Sequence, residues 1–433
     1  MKRILLDKYN SSILDYNILF RHRRTVGSIP TTYHSRIASI FWGKSSSRLL
    51  SLVMLQRDNH MEIRTIDVHR LEVPMKGSYR ASVHDFSVMD SVLVVLNTAD
   101  GERGIGTVDP SPGYSRQTPS SIENVLINYL LPALIEVEPE SPNKLTELLR
   151  SFEGNANAKC GIEMAYLDLY CRQRGQTLAE LFGGALRQRE SLNAWIGIDD
   201  PEKMGEEAKQ WRNKGYESAK LKLSGDLEID SARIETVCEM VNPQRKGMEV
   251  RADANGAYSV PDAISLARSV EHLPLAHLEQ PVPFNDLEGL ARVSESTSVP
   301  VMADECLLSI QHLSSVISLK AADRVKLKPM RLGSLLSTRT GIEIAAASGR
   351  STVVGHGFGL SPATSAEIQL TASTKGVHRP VESVGPIKMR DEPFEPTITD
   401  SNGSVELPTG AGLGIDLVDS KLHSFATNST TIS

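Results

Sequence analysis

Several things are scarce in this 433-residue chain, and each scarcity excludes a class of protein. There are four cysteines, Cys160, Cys171, Cys238 and Cys306, and none stand at C-x-x-C spacing. A zinc site or dithiol redox motif is therefore not expected, and a reducing, cytoplasmic setting is. Cys306, beside Asp304-Glu305, reads as a small buried residue. No apolar run approaches the roughly 20 residues of a membrane span. Leu49 to Leu55 is far too short and contains Ser51, so no membrane partner is expected. The net charge of −6 gives no global case for nucleic-acid binding. With 40% hydrophobic and 23% charged residues the composition is that of a soluble globular protein. The length suits two domains plus an extension.

One absence is local. The first 60 residues contain no Glu and three Asp against ten Lys or Arg, so the remaining residues carry −13 of the chain's −6. This basic, Ser-rich extension, residues 1–60, has the composition of a targeting peptide. It reads better as a mis-assigned start, because Met61 opens a well-formed strand pattern. Either way it is expected to be disordered or loosely attached.

From Met61 the pattern turns regular. Ile63, Ile66, Val68, Leu71 and Val73 mark an extended segment. Ser91 to Leu96 leads into Asp100-Gly101, a strong hairpin signal, and Gly104 to Val108 returns. Asp109 to Tyr114 is a turn-rich loop. Residues 119–182 read as helices, with Leu126, Leu130, Leu131 and Leu134 at helical spacing. So 61–185 is expected to be an α+β unit. Beyond it, apolar segments at 192–196, 218–223, 248–253, 275–279, 300–304, 324–328, 352–355 and 381–384 alternate with helical stretches such as 202–214, 260–271 and 336–348. Eight such strands predict a parallel barrel over 186–390, with its site at the carboxyl ends of the strands. Residues 391–433 are expected to return to the first unit, with a Ser/Thr-rich tail that frays beyond about Ser424.

Ionisable residues cluster at those strand ends. The second barrel strand ends Lys220-Leu221-Lys222, and residues two apart share a strand face. Buried ammonium groups are costly unless they face anions or have shifted pKa values. The next three strands end in Asp253, Glu279 and Asp304. Carboxylates that converge repel one another unless a cation lies between them, and hard oxygen donors suit Mg²⁺. On the sixth strand Lys326 and Lys328 share a face, and a lysine beside another cation can act as a base. In an eight-stranded barrel Lys222 and Lys328 would face each other over the pocket. That arrangement allows a proton to leave one face of a substrate and return to either.

These residues resemble a known family. From about Met61 to about residue 415 the chain is similar to the enolase superfamily, and in detail to its muconate-lactonizing-enzyme subgroup. The resemblance rests on Lys220-Leu221-Lys222, Asp253-Ala254-Asn255, Glu279-Gln280-Pro281, Ala303-Asp304-Glu305 and Lys328 before Gly333, with Ala165-Tyr166-Leu167-Asp168-Leu169 and Leu181-Phe182-Gly183-Gly184 upstream. It implies a (β/α)7β modified TIM barrel with an N-terminal α+β capping domain whose loops, Tyr79 to Val88 and Asp109 to Tyr114, close over substrate. It further implies Mg²⁺ on Asp253, Glu279 and Asp304, with Lys222 and Lys328 as the acid/base pair and Lys220 beside the enolate oxygen. Asn255, Tyr114, His356 and Glu382 are candidate substrate contacts. The expected ligand is a small carboxylate, and a homo-oligomer is expected by analogy.

The departures concern specificity. The mandelate-racemase subgroup pairs a histidine on strand seven with an aspartate on strand six. His356 follows strand seven here, but Lys328 holds the strand-six position. His356 therefore reads as a substrate contact, a proton carrier or a structural loop residue. The Asp-x-Asp motif of dipeptide epimerases is absent from Glu382-Ser383-Val384. The expected activity is a racemase, epimerase or cycloisomerase. The alternatives are a dehydratase using the same enediolate and a binding protein on a barrel without catalysis.

Overall fold

Asp100-Gly101 reverses the chain as its chemistry favours. Gly101 takes a left-handed φ of +88°, and the Thr98 N–H donates to the Glu102 carbonyl at 3.0 Å. The turn joins β2 (Asp85–Thr98) to β3 (Arg103–Val108), antiparallel, with Val94 opposite Gly106. β1 (Ile63–Arg80) pairs with the other edge of β2, Val68 opposite Val94. The computed structural model describes residues 61–80, 85–111, 115–241 and 247–433. The basic extension 1–60 and Tyr114 lie outside the described residues.

The tail corrects an expectation. Ala426–Ile432 does not fray but forms the fourth strand of this sheet, antiparallel to β1, with Ile432 opposite Ile66 and Thr430 opposite Val68. Its hydroxyl residues are strand formers when a partner edge is available. Thr431 Oγ1 donates to Asp67 at 2.6 Å, and Asn428 Nδ2 donates to Glu123 at 3.0 Å. Composition alone said polar and terminal, and the open edge of β1 decided the outcome.

The helix Ala156–Arg172 lies on β3 at a separation only glycine permits. A Cβ added at Gly104 would stand 2.2 Å from the Ala165 carbonyl oxygen, and one at Gly106 would stand 2.3 Å from that of Gly161. Buried Asp168 accepts the N–H groups of Ile105 at 2.9 Å and Leu413 at 2.7 Å. One carboxylate thus ties this helix to β3 and to the C-terminal segment. From the same helix, Glu163 accepts from Ser334 Oγ at 2.6 Å and from the Leu335 N–H. It caps the helix Leu335–Ala347, which follows the sixth barrel strand.

A short β4 (Arg189–Ser191) precedes the barrel and pairs with Ser404–Glu406. Seven parallel strands then lie side by side in chain order. They are β5 (Asn193–Ile196), β6 (Ser218–Lys222), β7 (Glu249–Asp253), β8 (Leu275–Glu279), β9 (Val301–Ala303), β10 (Arg324–Leu327) and β11 (Ser351–Val354). Helices separate them, and several start on side-chain caps: Ser259, Asp286, Ser309 and Ser334 each accept a backbone N–H of the first turn. The segment 377–382 closes the ring. His378 N–H donates to Thr352 O at 2.7 Å and Glu382 N–H to Val354 O at 2.9 Å. On the other side, Asn193 N–H donates to Val381 O at 2.8 Å. The result is a (β/α)7β modified TIM barrel carrying an N-terminal α+β capping domain. Among the described residues no helix is long and apolar enough to cross a membrane.

Candidate active site

Alternation along buried strands aims the candidate residues inward. All five residues of β6 are buried, and Lys220 and Lys222 share the interior face. The parallel register sets Lys222 beside Asp253 and Asp253 beside Glu279. Asp304 follows β9 directly, and Lys328 follows β10. Just beyond two of the carboxylates the backbone turns left-handed: Asn255, two residues after Asp253, has φ +45°, and Gln280, directly after Glu279, has φ +37°. Asn tolerates that region, whereas Gln needs a reason to be there. Its side chain supplies one. Gln280 Oε1 accepts the Asp304 N–H at 3.0 Å, and Nε2 donates to Val282 O at 2.9 Å, so the residue after one carboxylate positions the next.

Lysines and carboxylates interleave across the barrel mouth. Lys222 Nζ donates to Asp253 Oδ2 at 2.7 Å and to Asn255 Oδ1 at 2.8 Å. Lys220 Nζ reaches Glu382 Oε2 at 2.6 Å, Glu279 Oε2 at 3.2 Å and Asp253 Oδ2 at 3.2 Å. Lys326 bonds Glu279 at 3.2 Å and also Glu382. At the far end Asp304 accepts from Lys328 at 2.8 Å and from Arg331 at 2.6 Å. Lys222 and Lys328 therefore stand at opposite ends of a row of carboxylates, with Lys220 and Lys326 inside it.

The surroundings separate the lysines electrostatically. Burial and the Arg331 charge push the Lys328 ammonium down to about 8, against the pull of Asp304. Burial also opposes the charge on Lys220, but Glu279, Glu382 and Asp253 outweigh it and hold that ammonium well above the lysine range. Burial and the Asp253 charge raise Glu279 to about 8. Despite burial, Lys222 and Lys220 keep Asp253 below the usual carboxylate range, and Arg331 and Lys328 do the same for Asp304. Glu382 is likewise held low, by Lys220 and Lys326.

The mouth opens into a cavity of ≈ 370 Å³. His356 lines it with Nε2 3.9 Å from Asp109 Oδ2, a carboxylate brought by the end of β3. The Phe358 N–H donates to His356 Nδ1 at 3.1 Å, so the neutral ring carries its proton on Nε2. Burial and the nearby Lys328 hold this imidazole down to about 3.

Two family profiles cover the described chain. "Mandelate racemase / muconate lactonizing enzyme, N-terminal domain" matches residues 61–183, and "Enolase C-terminal domain-like" matches 203–421. This chain belongs to the enolase superfamily, in its muconate-lactonizing subgroup. It is similar to N-succinyl-L-Arg/Lys racemase of Bacillus cereus, 29% identical over 84% of this chain and 97% of that protein. The solved structure of that racemase superposes with a TM-score of 0.82 at 27% identity, covering 86% of this chain and all of that one. The chloromuconate cycloisomerase of Cupriavidus pinatubonensis is 30% identical over 78% of this chain and 91% of its own. The dipeptide epimerase of Cytophaga hutchinsonii, complexed with Mg and D-Ala-L-Val, shares the fold with a TM-score of 0.79 at 24% identity, covering 86% of this chain and 100% of that one. This superfamily member is thus an enzyme, and its racemase, epimerase and cycloisomerase relatives are isomerases.

In this enolase-superfamily barrel the donors suit a hard divalent cation. Asp253, Glu279 and Asp304 offer only oxygen, from three adjacent strands. Among the described residues no three of His, Cys, Asp and Glu are drawn together at metal-ligand spacing, and the ammonium groups of Lys220 and Lys326 lie between the carboxylates. The donor chemistry is the stronger guide, because side chains settle on the cations available to them. Of the sequence candidates, the three carboxylates, Lys220, Lys222, Lys328, Asn255, His356 and Glu382 come together at one mouth. Arg331 and Lys388 were not anticipated, and Asp109 was expected only as the start of a loop that closes over substrate. Arg331 stands three residues after Lys328 on the helix Pro329–Leu332, a spacing that could have flagged it. Asp109 carried no signal beyond its turn-rich loop, and Lys388 none at all.

Proposed function

We propose that this enzyme removes the proton α to a substrate carboxylate through an enediolate, giving racemisation, epimerisation or cycloisomerisation. The observation that carries this reading is the placement of Lys222 and Lys328 at opposite ends of the carboxylate row. Asp253, Glu279 and Asp304 would hold Mg²⁺, which when bound supplies positive charge beside the substrate carboxylate. Burial and the neighbouring Arg331 charge favour loss of the Lys328 proton, and as an amine it can accept the α-proton. Lys222 works from the opposite face, accepting or returning a proton there. Lys220 keeps its ammonium charge and hydrogen-bonds the oxygen that becomes negative. Glu382 holds Lys220 and Lys326 in place. The capping domain, with Asp109 at the cavity wall, excludes water. Dehydration is the weaker reading, because a histidine held neutral, with Nδ1 already accepting, is a poor acid for a leaving hydroxyl.

The test is α-proton exchange in D₂O with Mg²⁺ over N-acyl amino acids, proline derivatives, hydroxy acids and muconates. A racemase should exchange both stereoisomers, with Lys222→Ala and Lys328→Ala each blocking one. Loss of both exchanges with either variant would rule out the two-base arrangement. Exchange accompanied by water loss would establish the dehydratase.

A further inference from the structure

One charged side chain of the barrel interior lies outside the row at the mouth. Arg251 stands on β7 two residues before Asp253, so it points into the barrel one layer beneath the carboxylates. It is 0% exposed and among the largest fully buried side chains. Branched apolar residues ordinarily fill such a layer. A buried ion pair is often no more stabilising than apolar side chains of similar volume. Arg251 Nη2 adds to the cost, since it finds no hydrogen-bond partner among the described residues. Stability alone therefore favours a hydrocarbon here, and the contacts of the guanidinium show what else it does.

Arg251 Nε donates to Glu249 Oε1 at 2.7 Å, and Nη1 donates to the Pro380 carbonyl at 2.9 Å. These bonds fix the planar group between β7 and the segment 377–382 that closes the barrel. Pro380 is two residues before Glu382, and the same Nη1 stands 3.6 Å from Glu382 Oε1. The two oxygens of Glu382 are thus divided. Oε2 accepts from Lys220 at 2.6 Å and from Lys326. Oε1 finds no hydrogen-bond partner among the described residues and faces Arg251. The last torsion of a Glu side chain is broad and two-fold, so by itself it aims neither oxygen. A fixed cation beneath Oε1 aims both. We propose that Arg251 is a positioning residue, which from beneath the barrel mouth orients Glu382 and, through Glu382, the Lys220 ammonium that meets the negative oxygen of the enediolate. This deepens the α-proton reading above and rests on it. Arg251 does not line the cavity, so its influence on the reaction passes through Glu382.

Three variants of the full chain separate this role from a structural one: Arg251→Met, Arg251→Lys and Glu249→Gln. Each is crystallised, and each is assayed for α-proton exchange in D₂O with Mg²⁺ over N-acyl amino acids, proline derivatives, hydroxy acids and muconates. In Arg251→Met kcat should fall about ten- to a hundredfold with KM held, because the interaction lost is one with charge that develops in the transition state. Its crystal structure should show Glu382 turned away from Lys220. Arg251→Lys keeps a cation beneath Glu382 and should recover most of kcat. Glu249→Gln loosens the guanidinium on its other side but leaves it on Glu382, so kcat should hold. Should Arg251→Met not fold, Arg251→Met combined with Glu249→Gln removes both members of the buried pair and is read in its place. Native kcat in Arg251→Met, an equal loss in Glu249→Gln, or a Lys220–Glu382 bond unmoved in the crystal overturns the proposal. Failure of the α-proton reading looks different: the native protein exchanges no member of the panel, while Glu382 still turns away from Lys220 in Arg251→Met.

Discussion

Glu279 meets more opposing demands than any other side chain of the site. It is fully buried, accepts from Lys220 and Lys326, and lies beside Asp253, whose charge raises its pKa. An amide in its place keeps the shape and removes the charge. Glu279→Gln should therefore weaken Mg²⁺ binding by about a hundredfold or more, since even outer-shell partners are worth about 10–100-fold, and should abolish α-proton exchange. Titration calorimetry with Mg²⁺ checks the first effect and exchange in D₂O the second. Native-like affinity in the variant would remove Glu279 from the metal set. At this scale the sequence was informative because strand alternation is local. Lys220 and Lys222, or Lys326 and Lys328, must share a face wherever the strand goes. The setting of Lys388 against Trp195 and Phe358 was not legible, since the two rings come from positions 193 and 30 residues away in the chain.

Among the elements, β3 and the helix Ala156–Arg172 approach so closely that only glycine fits between them. Backbone faces backbone at Gly104 and Gly106, so a side chain at either cannot be relieved by a rotamer change. Gly106→Ala should destabilise the protein by about 1–3 kcal/mol, the usual cost of overpacking, read as a lower urea midpoint. Gly77→Ala serves as the control, since a Cβ there meets nothing within 4 Å and the midpoint should hold. Equal midpoints for the two variants would mean that the helix moves away at no cost. The β2–β3 hairpin was legible because Asp-Gly carries its turn geometry in two residues. The strand Ala426–Ile432 was not, because Ser and Thr take their structure from the edge that receives them.

Across the whole molecule, buried ionisable groups should set how stability varies with pH. Burial raises the carboxyls of Asp109, Glu163, Glu190, Glu367 and Glu392 each to about 7. Because these pKa values lie above those of the unfolded chain, the folded state holds protons more tightly. Their contribution is complete below the ordinary carboxyl range and is lost as pH rises through about 7. Buried His277 and His356 work in the other direction, since both are held below 6.5 and must charge on acid unfolding. The melting temperature should therefore rise on going from about pH 7 to about pH 4.5, because the five carboxyls outnumber the two histidines, and stop rising or fall in more acid solution. In Glu163→Gln the rise should be smaller. A melting temperature that climbs steadily from about pH 4.5 to about 7 would contradict the assignment.

The sequence by itself determined the local matters: the order of β-α units, the hairpin, the carboxylate at each of three successive strand ends and the paired lysines. Each of these depends on residues a few positions apart, where periodicity and turn chemistry leave little choice. The tertiary structure decided what meets across the chain. Barrel closure by 377–382 brings Glu382 to Lys220 at 2.6 Å, although the two are 162 residues apart. It carries Asp109 to His356, lays the last strand on β1 and folds Lys388 between two rings. Those encounters follow from the shape of the closed barrel and the packing of the capping helices, and no short stretch of sequence records them.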